Sequence, residues 1–158
     1  MPNVNTSPDD LIQPFLIEAS GLRGRLIRMG PTLGDVNGRH DLPHAVQSLM
    51  AEFAVLAATL SAALKIDGVF SLQCKGNGPV GLMAADVTSD GGIRAYASVS
   101  DGVPSPGEIK GSPIPRLLGA GYLAFTVDQG EHTELYQGIV ELQGATLIEC
   151  VHHYFQQS

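Results

Sequence analysis

Two cysteines, five histidines, a glycine-rich segment and several turn-flanking carboxylates are the residues of this chain that could do chemistry. Cys74 follows an alternating strand pattern, and Cys150 sits in an apolar helical stripe. A buried thiol in such a setting acts as a small hydrophobe. A nucleophilic one needs a depressed pKa and a base beside it. His40 and His44 are four apart, but Pro43 falls between them. His152 and His153 are adjacent, and adjacent helical side chains diverge by about 100°. Cys150 and His153 could share a helix face, yet a metal needs three or four ligands and no further donor is evident nearby. No metal, cofactor or catalytic residue is therefore assigned. The segment Lys75-Gly76-Asn77-Gly78-Pro79 is followed by a strand pattern. A phosphate loop needs a helix there, whose N-terminus would meet the anion, so a hairpin turn is expected instead. No serine lies in a Gly-x-Ser-x-Gly elbow. Asp86, Asp90, Asp101 and Asp128 border turns, where aspartate is common on conformational grounds.

Composition narrows the remaining classes. The chain has 158 residues, 44% of them hydrophobic, enough for one compact core. Nine basic residues face sixteen acidic ones, for a net charge of −7. There is no Lys/Arg cluster to neutralise phosphates, so no nucleic-acid partner is expected. No basic amphipathic helix points to a membrane surface. The longest apolar stretch, Phe53 to Leu64, is short for a bilayer. Two cysteines far apart in sequence fit a reducing, cytoplasmic setting better than a disulfide scaffold. Residues 1–10 are polar and acidic, without the apolar core of a signal peptide, and read as a disordered lead-in to a domain over 11–158.

The elements that would position these residues alternate between two periodicities. Leu11 to Ser20 and Leu22 to Met29 alternate like strands and would form a hairpin. One weak helical turn is expected between Gly30 and His40. Asp41 is a candidate N-cap, with Pro43 in the first turn. A helix of about 23 residues then runs from Leu42 to Leu64, apolar on nearly all sides in its second half, as in a helix buried within a domain. Gly68–Lys75, Val80–Val87 and Ile93–Val99 read as an antiparallel meander. Residues 101–116, with four prolines and three glycines, read as an exposed, mobile loop. Tyr122–Val127 and Tyr136–Leu142 form a last strand pair. Thr146 caps a final helix reaching Gln157, with Glu149 completing a capping box. The fold class is α+β, an antiparallel β-sheet packed around the long apolar helix (about 42–64), with a further C-terminal helix.

Several stretches are more specific in combination. His40-Asp41-Leu42-Pro43 leads into the long helix, which ends Leu64-Lys65-Ile66-Asp67-Gly68. Leu72-Gln73-Cys74-Lys75-Gly76-Asn77-Gly78-Pro79 follows, then GAGYLAFTV over 119–127, YQGIVEL over 136–142, and Tyr154-Phe155. In this order and spacing they resemble the core domain of the redox-regulated heat-shock chaperone family of 33 kilodaltons, from about Phe15 to the last residue. The resemblance implies an ATP-independent holdase that binds unfolding client proteins through apolar surface during oxidative and heat stress. It also implies a separate zinc switch with Cys-x-Cys and Cys-x-x-Cys motifs, whose thiolates hold zinc when reduced and form disulfides when oxidised. Neither motif occurs in this sequence, and Cys74 and Cys150 match none of those ligands. Zinc is thus expected only in that switch domain, and the chain is expected to end at Ser158 within the family's core. A homodimer is expected, formed by strand pairing or exchange; a purely monomeric mass by light scattering would count against it. The alternative is a small enzyme or ligand-binding domain with a pocket near loop 101–116.

Overall fold

A computed structural model describes residues 10–38, 41–64 and 67–157. The expected lead-in lies outside these residues except for Asp10, which opens the first strand. Strands β1 (Asp10–Ile17) and β2 (Leu22–Met29) pair antiparallel from Asp10↔Met29 to Ile17↔Leu22 and form a separate two-stranded sheet. Helix α1 (Pro31–Gly38) follows. It is longer than the single turn expected, and Asp10 accounts for its start. The Asp10 carboxylate accepts the Gly30 N–H at 2.9 Å and the Thr32 N–H at 3.1 Å, satisfying donors that a helix start leaves open.

Helix α2 spans His44–Leu64, two residues later than expected. Pro43 precedes the helix, and its carbonyl accepts the Gln47 N–H at 3.0 Å. The Gln47 side chain reaches back to the Leu42 carbonyl at 3.0 Å. Asp41 is exposed and lies before this turn, so it is not the cap. The buried residues Val46, Leu49, Met50, Phe53, Ala54, Ala57, Ala58 and Ser61 fall at spacings of three and four, a single stripe. That corrects the expectation of a helix enclosed on all sides: Leu56 and Leu60 are half-buried and Leu64 is exposed. By length and hydropathy alone the 21 residues of α2 could cross a bilayer. In this fold the stripe packs on β-strands instead.

Those strands are β3 (Val69–Gly76), β4 (Val80–Thr88), β5 (Ile93–Val99), β6 (Gly121–Asp128) and β7 (Tyr136–Glu141), in the order β5-β4-β3-β6-β7, all antiparallel. Register places Phe70, Leu72 and Cys74 beside Val87, Ala85 and Met83 on one side, and beside Val127, Phe125 and Leu123 on the other. All of these share one face because side chains alternate along a strand. Helix α2 covers that face over β3, β4 and β5. Helix α4 (Leu147–Gln157) covers it further along: the Tyr154 ring meets the β6 residue Phe125 edge-on, with centroids 5.0 Å apart. The expected capping box holds α4. Thr146 Oγ1 accepts the Glu149 N–H at 3.3 Å, and the Glu149 carboxylate accepts the Thr146 N–H at 3.3 Å.

The segment 101–116 is exposed at most of its positions, as expected, but it is not loop throughout. It contains a short helix α3 (Pro106–Ile109) and leads into a single π-helical turn, Ile114–Leu118. Ile109, Ile114, Leu117 and Leu118 are buried in the core. Apolar residues interleaved with the prolines and glycines pull this stretch onto the sheet end.

Candidate binding surface

The β1–β2 hairpin is the part of the chain with the most unburied apolar surface. Its two strands carry six of the thirteen large hydrophobic side chains that are exposed among the described residues. The register sorts them by face. Gln13 pairs with Leu26, Phe15 with Gly24 and Ile17 with Leu22, so Phe15, Ile17, Leu22 and Leu26 lie together. Their exposures are 49, 48, 60 and 55%. The Phe15 ring lies across Gly24 so closely that a Cβ on Gly24 would stand 2.2 Å from it. Glycine at this position lets the ring lie flat and widens the apolar platform. On the opposite face Ile27 and Met29 pack against the core, while Leu16 stays exposed. Of the arginines on β2, Arg28 pairs with Leu11 and shares the platform's face, whereas Arg23 and Arg25 pair with Leu16 and Pro14 on the other face.

A monomer seldom exposes a contiguous apolar patch without a binding role. The other exposed hydrophobic side chains, among them Leu64, Tyr96 and Ile148, are spread over different elements. Scattered apolar residues of that kind are ordinary. The sequence contained a signal for the platform that strand periodicity alone passes over. Both parities of the hairpin strands are apolar, so covering one face leaves the other to seek a partner.

The residues considered for chemistry are placed elsewhere and are not brought together as a site. Cys74 and Cys150 are free thiols, both 0% exposed. Burial pushes the Cys74 thiol up to about 12, with the nearby Cys150 adding to it. Burial also raises the Cys150 thiol. Such thiols are poor nucleophiles. Folded protein at pH 8 should therefore resist labelling by a disulfide reagent such as Ellman's, whereas denaturant should release both cysteines; rapid labelling of the native chain would contradict the burial. From about pH 8.5 upward the unfolded thiol loses its proton while folded Cys74 keeps it, so stability falls as pH rises, by up to about 1.4 kcal/mol per unit. Cys74→Ala should flatten that alkaline slope.

The glycine-rich segment is a tight connection between β3 and β4. Its amides are already used: Asn77 N–H donates to the Ala120 carbonyl at 3.0 Å and Gly78 N–H to that of Leu118 at 2.8 Å. Asp86 pairs with Arg94 at 2.7 Å, and Asp128 accepts the Gly130 N–H at 3.1 Å in a turn. Among the described residues no group of three His, Cys, Asp or Glu side chains could hold a metal ion; His40 lies outside them. A groove of about 530 Å³ does run between α2 and residues 106–113, lined by His44, Ser48, Glu52 and Lys110. No hydrogen bond joins these polar side chains among the described residues.

Fold and surface together define an α+β domain with a five-stranded antiparallel sheet, a covering helix and an apolar hairpin set apart from that sheet. The profile of the Hsp33 protein family matches residues 10–158. The chain belongs to the Hsp33 family. It is 37% identical over 158 residues to the 33 kDa chaperonin of Caulobacter vibrioides strain NA1000 / CB15N, covering 95% of this chain and 50% of that protein. It is 34% identical over 149 residues to the 33 kDa chaperonin of Escherichia coli strain K12 / DH10B, covering 94% of this chain and 49% of that protein. The crystal structure of the 33 kDa chaperonin from Thermotoga maritima superposes with a TM-score of 0.79 at 23% identity, over 95% of this chain and 51% of that one, and shares the fold. The chain thus spans about half the length of the curated relatives it matches.

Proposed function

We propose that this chain is the client-binding core of an ATP-independent holdase chaperone that works in the reducing cytoplasm. The observation that carries the reading is the contiguous apolar face of Phe15, Ile17, Leu22 and Leu26 on a hairpin set apart from the main sheet. Unfolding proteins expose apolar segments, and burying them against such a face is favourable by roughly 25 cal/mol per Å². The interaction is non-directional, which suits clients of unrelated sequence. Nucleotide hydrolysis has no part in this cycle.

Oxidative control, in this reading, belongs to cysteine motifs of the kind the relatives' family implies, and not to Cys74 or Cys150. Both are sealed in the core with raised pKa values, the opposite of a redox-sensing thiol. Light scattering from a thermally unfolding client, in reducing buffer without ATP, tests the proposal. Dose-dependent suppression of aggregation near stoichiometric ratios is expected. A folded sample that leaves the aggregation curve unchanged would sink the reading.

A further inference from the structure

A second feature lies beneath the hairpin, apart from its exposed face. The base of β1–β2, the C-terminal half of α2 and the β4–β5 turn border an open pocket of about 370 Å³. Ile12 and Ile27 form the hairpin wall, Ala58 and Ser61 the helix wall, and Val87 and Ile93 the sheet wall. The volume falls within the range of small-molecule sites, and the apolar walls with a few polar groups match their usual composition. It equals about a dozen water volumes.

Ser61 makes this pocket more than a packing gap. It is the only buried polar residue among the described ones, at 9% exposure. Its hydroxyl makes no hydrogen bond among those residues. Thr59, two positions earlier on α2, returns its hydroxyl to the Val55 carbonyl at 2.8 Å, the usual outlet for a helical hydroxyl. A buried hydroxyl without a partner is costly unless something else satisfies it. The pocket's two charged residues, Asp10 and Arg28, are of opposite sign, so the wall has no net charge to select an ion. The Asp10 carboxylate is, in addition, already engaged by Gly30 and Thr32.

We propose that this pocket binds a neutral amphiphile of small size, with its apolar body among the isoleucines and its hydroxyl or carbonyl hydrogen-bonded to Ser61. The site is separate from the exposed hairpin face, so it stands or falls independently of client binding. A bound ligand would bridge hairpin, helix and sheet, and tie the hairpin to the body.

Titration of the isotopically labelled chain with 1-octanol, followed by amide chemical shifts, tests the assignment. Saturable shifts are expected at Ala58, Ser61, Ile27 and Val87, together with slower hydrogen exchange in the hairpin. Ser61→Ala should weaken the apparent affinity about fivefold, the factor one neutral hydrogen bond contributes. Ala58→Leu should fill the space and abolish the saturable shifts. Ala62→Leu, a milder change on the same wall, serves if Ala58→Leu melts early. The proposal is overturned if octanol shifts only Leu22 and Leu26, if it causes no saturable shifts, or if affinity survives both filling variants. Unchanged affinity in Ser61→Ala overturns the ligand class.

Discussion

The double variant Leu22→Asp/Leu26→Asp should lose its power to suppress aggregation while melting within a few degrees of the parent. Both side chains are more than half exposed on the Phe15 face of the hairpin. Neither is needed by the core, and surface changes of this kind stay within about 0.5 kcal/mol of neutral. On a client they are different. Full burial of a leucine contributes roughly 1.5–3 kcal/mol, and half of that from each of two residues amounts to about 2 kcal/mol, a factor of about thirty in affinity. The two aspartates would also repel acidic client segments. Ile148→Asp is the control, since Ile148 is exposed on α4 and remote in sequence from the hairpin. Suppression should persist in the control and fall at least tenfold in the double variant. Equal loss in both would mean that binding follows total apolar exposure and that the hairpin has no special part.

Much of this architecture was legible because local signals and burial agree. The strands Leu22–Met29 and Ile93–Val99 occupy the bounds their alternation predicts. The Thr146–Glu149 box marks the start of α4, because a helix start must satisfy its free N–H groups and these side chains suit that task. What was not legible depends on contacts between distant residues. The start of α2 rests on the Pro43 carbonyl and the Gln47 side chain, which outcompete Asp41. Residues 101–116 look like a loop by composition, yet Ile109 and Ile114 find buried space made by other elements. The neighbouring of Cys74 and Cys150 is likewise tertiary, since β3 and α4 meet only through the sheet face that both occupy. The apolar platform was half visible. Alternation predicts the hairpin, but only register and burial show which four side chains share a face and that no described element covers them.

Gly76→Ala should destabilise the fold by about 3 kcal/mol, at the upper end for overpacking, with a matching drop in melting temperature. Gly76 ends β3 and pairs with Gly121 at the start of β6. A Cβ on Gly76 would stand 1.9 Å from the Leu118 carbonyl oxygen and 2.8 Å from its carbon. Those are backbone atoms in a turn fixed by the buried Ile114 and Leu117, so no side chain can swing aside to relieve the clash. The next residues lock the same junction. Asn77 Oδ1 accepts the Ala120 N–H at 2.9 Å while the Asn77 and Gly78 amides bond to the Ala120 and Leu118 carbonyls. Gly81→Ala is the matched comparison, because a Cβ there meets nothing within 4 Å. It should melt within a few degrees of the parent. This contrast separates two explanations of the Lys75–Pro79 segment. If its glycines served an anion, Gly76→Ala would spare stability and alter phosphate binding. If they serve close packing of backbone on backbone, stability falls and added phosphate changes nothing. The geometry requires the second outcome, since the amides that an anion would need are already bound to carbonyls.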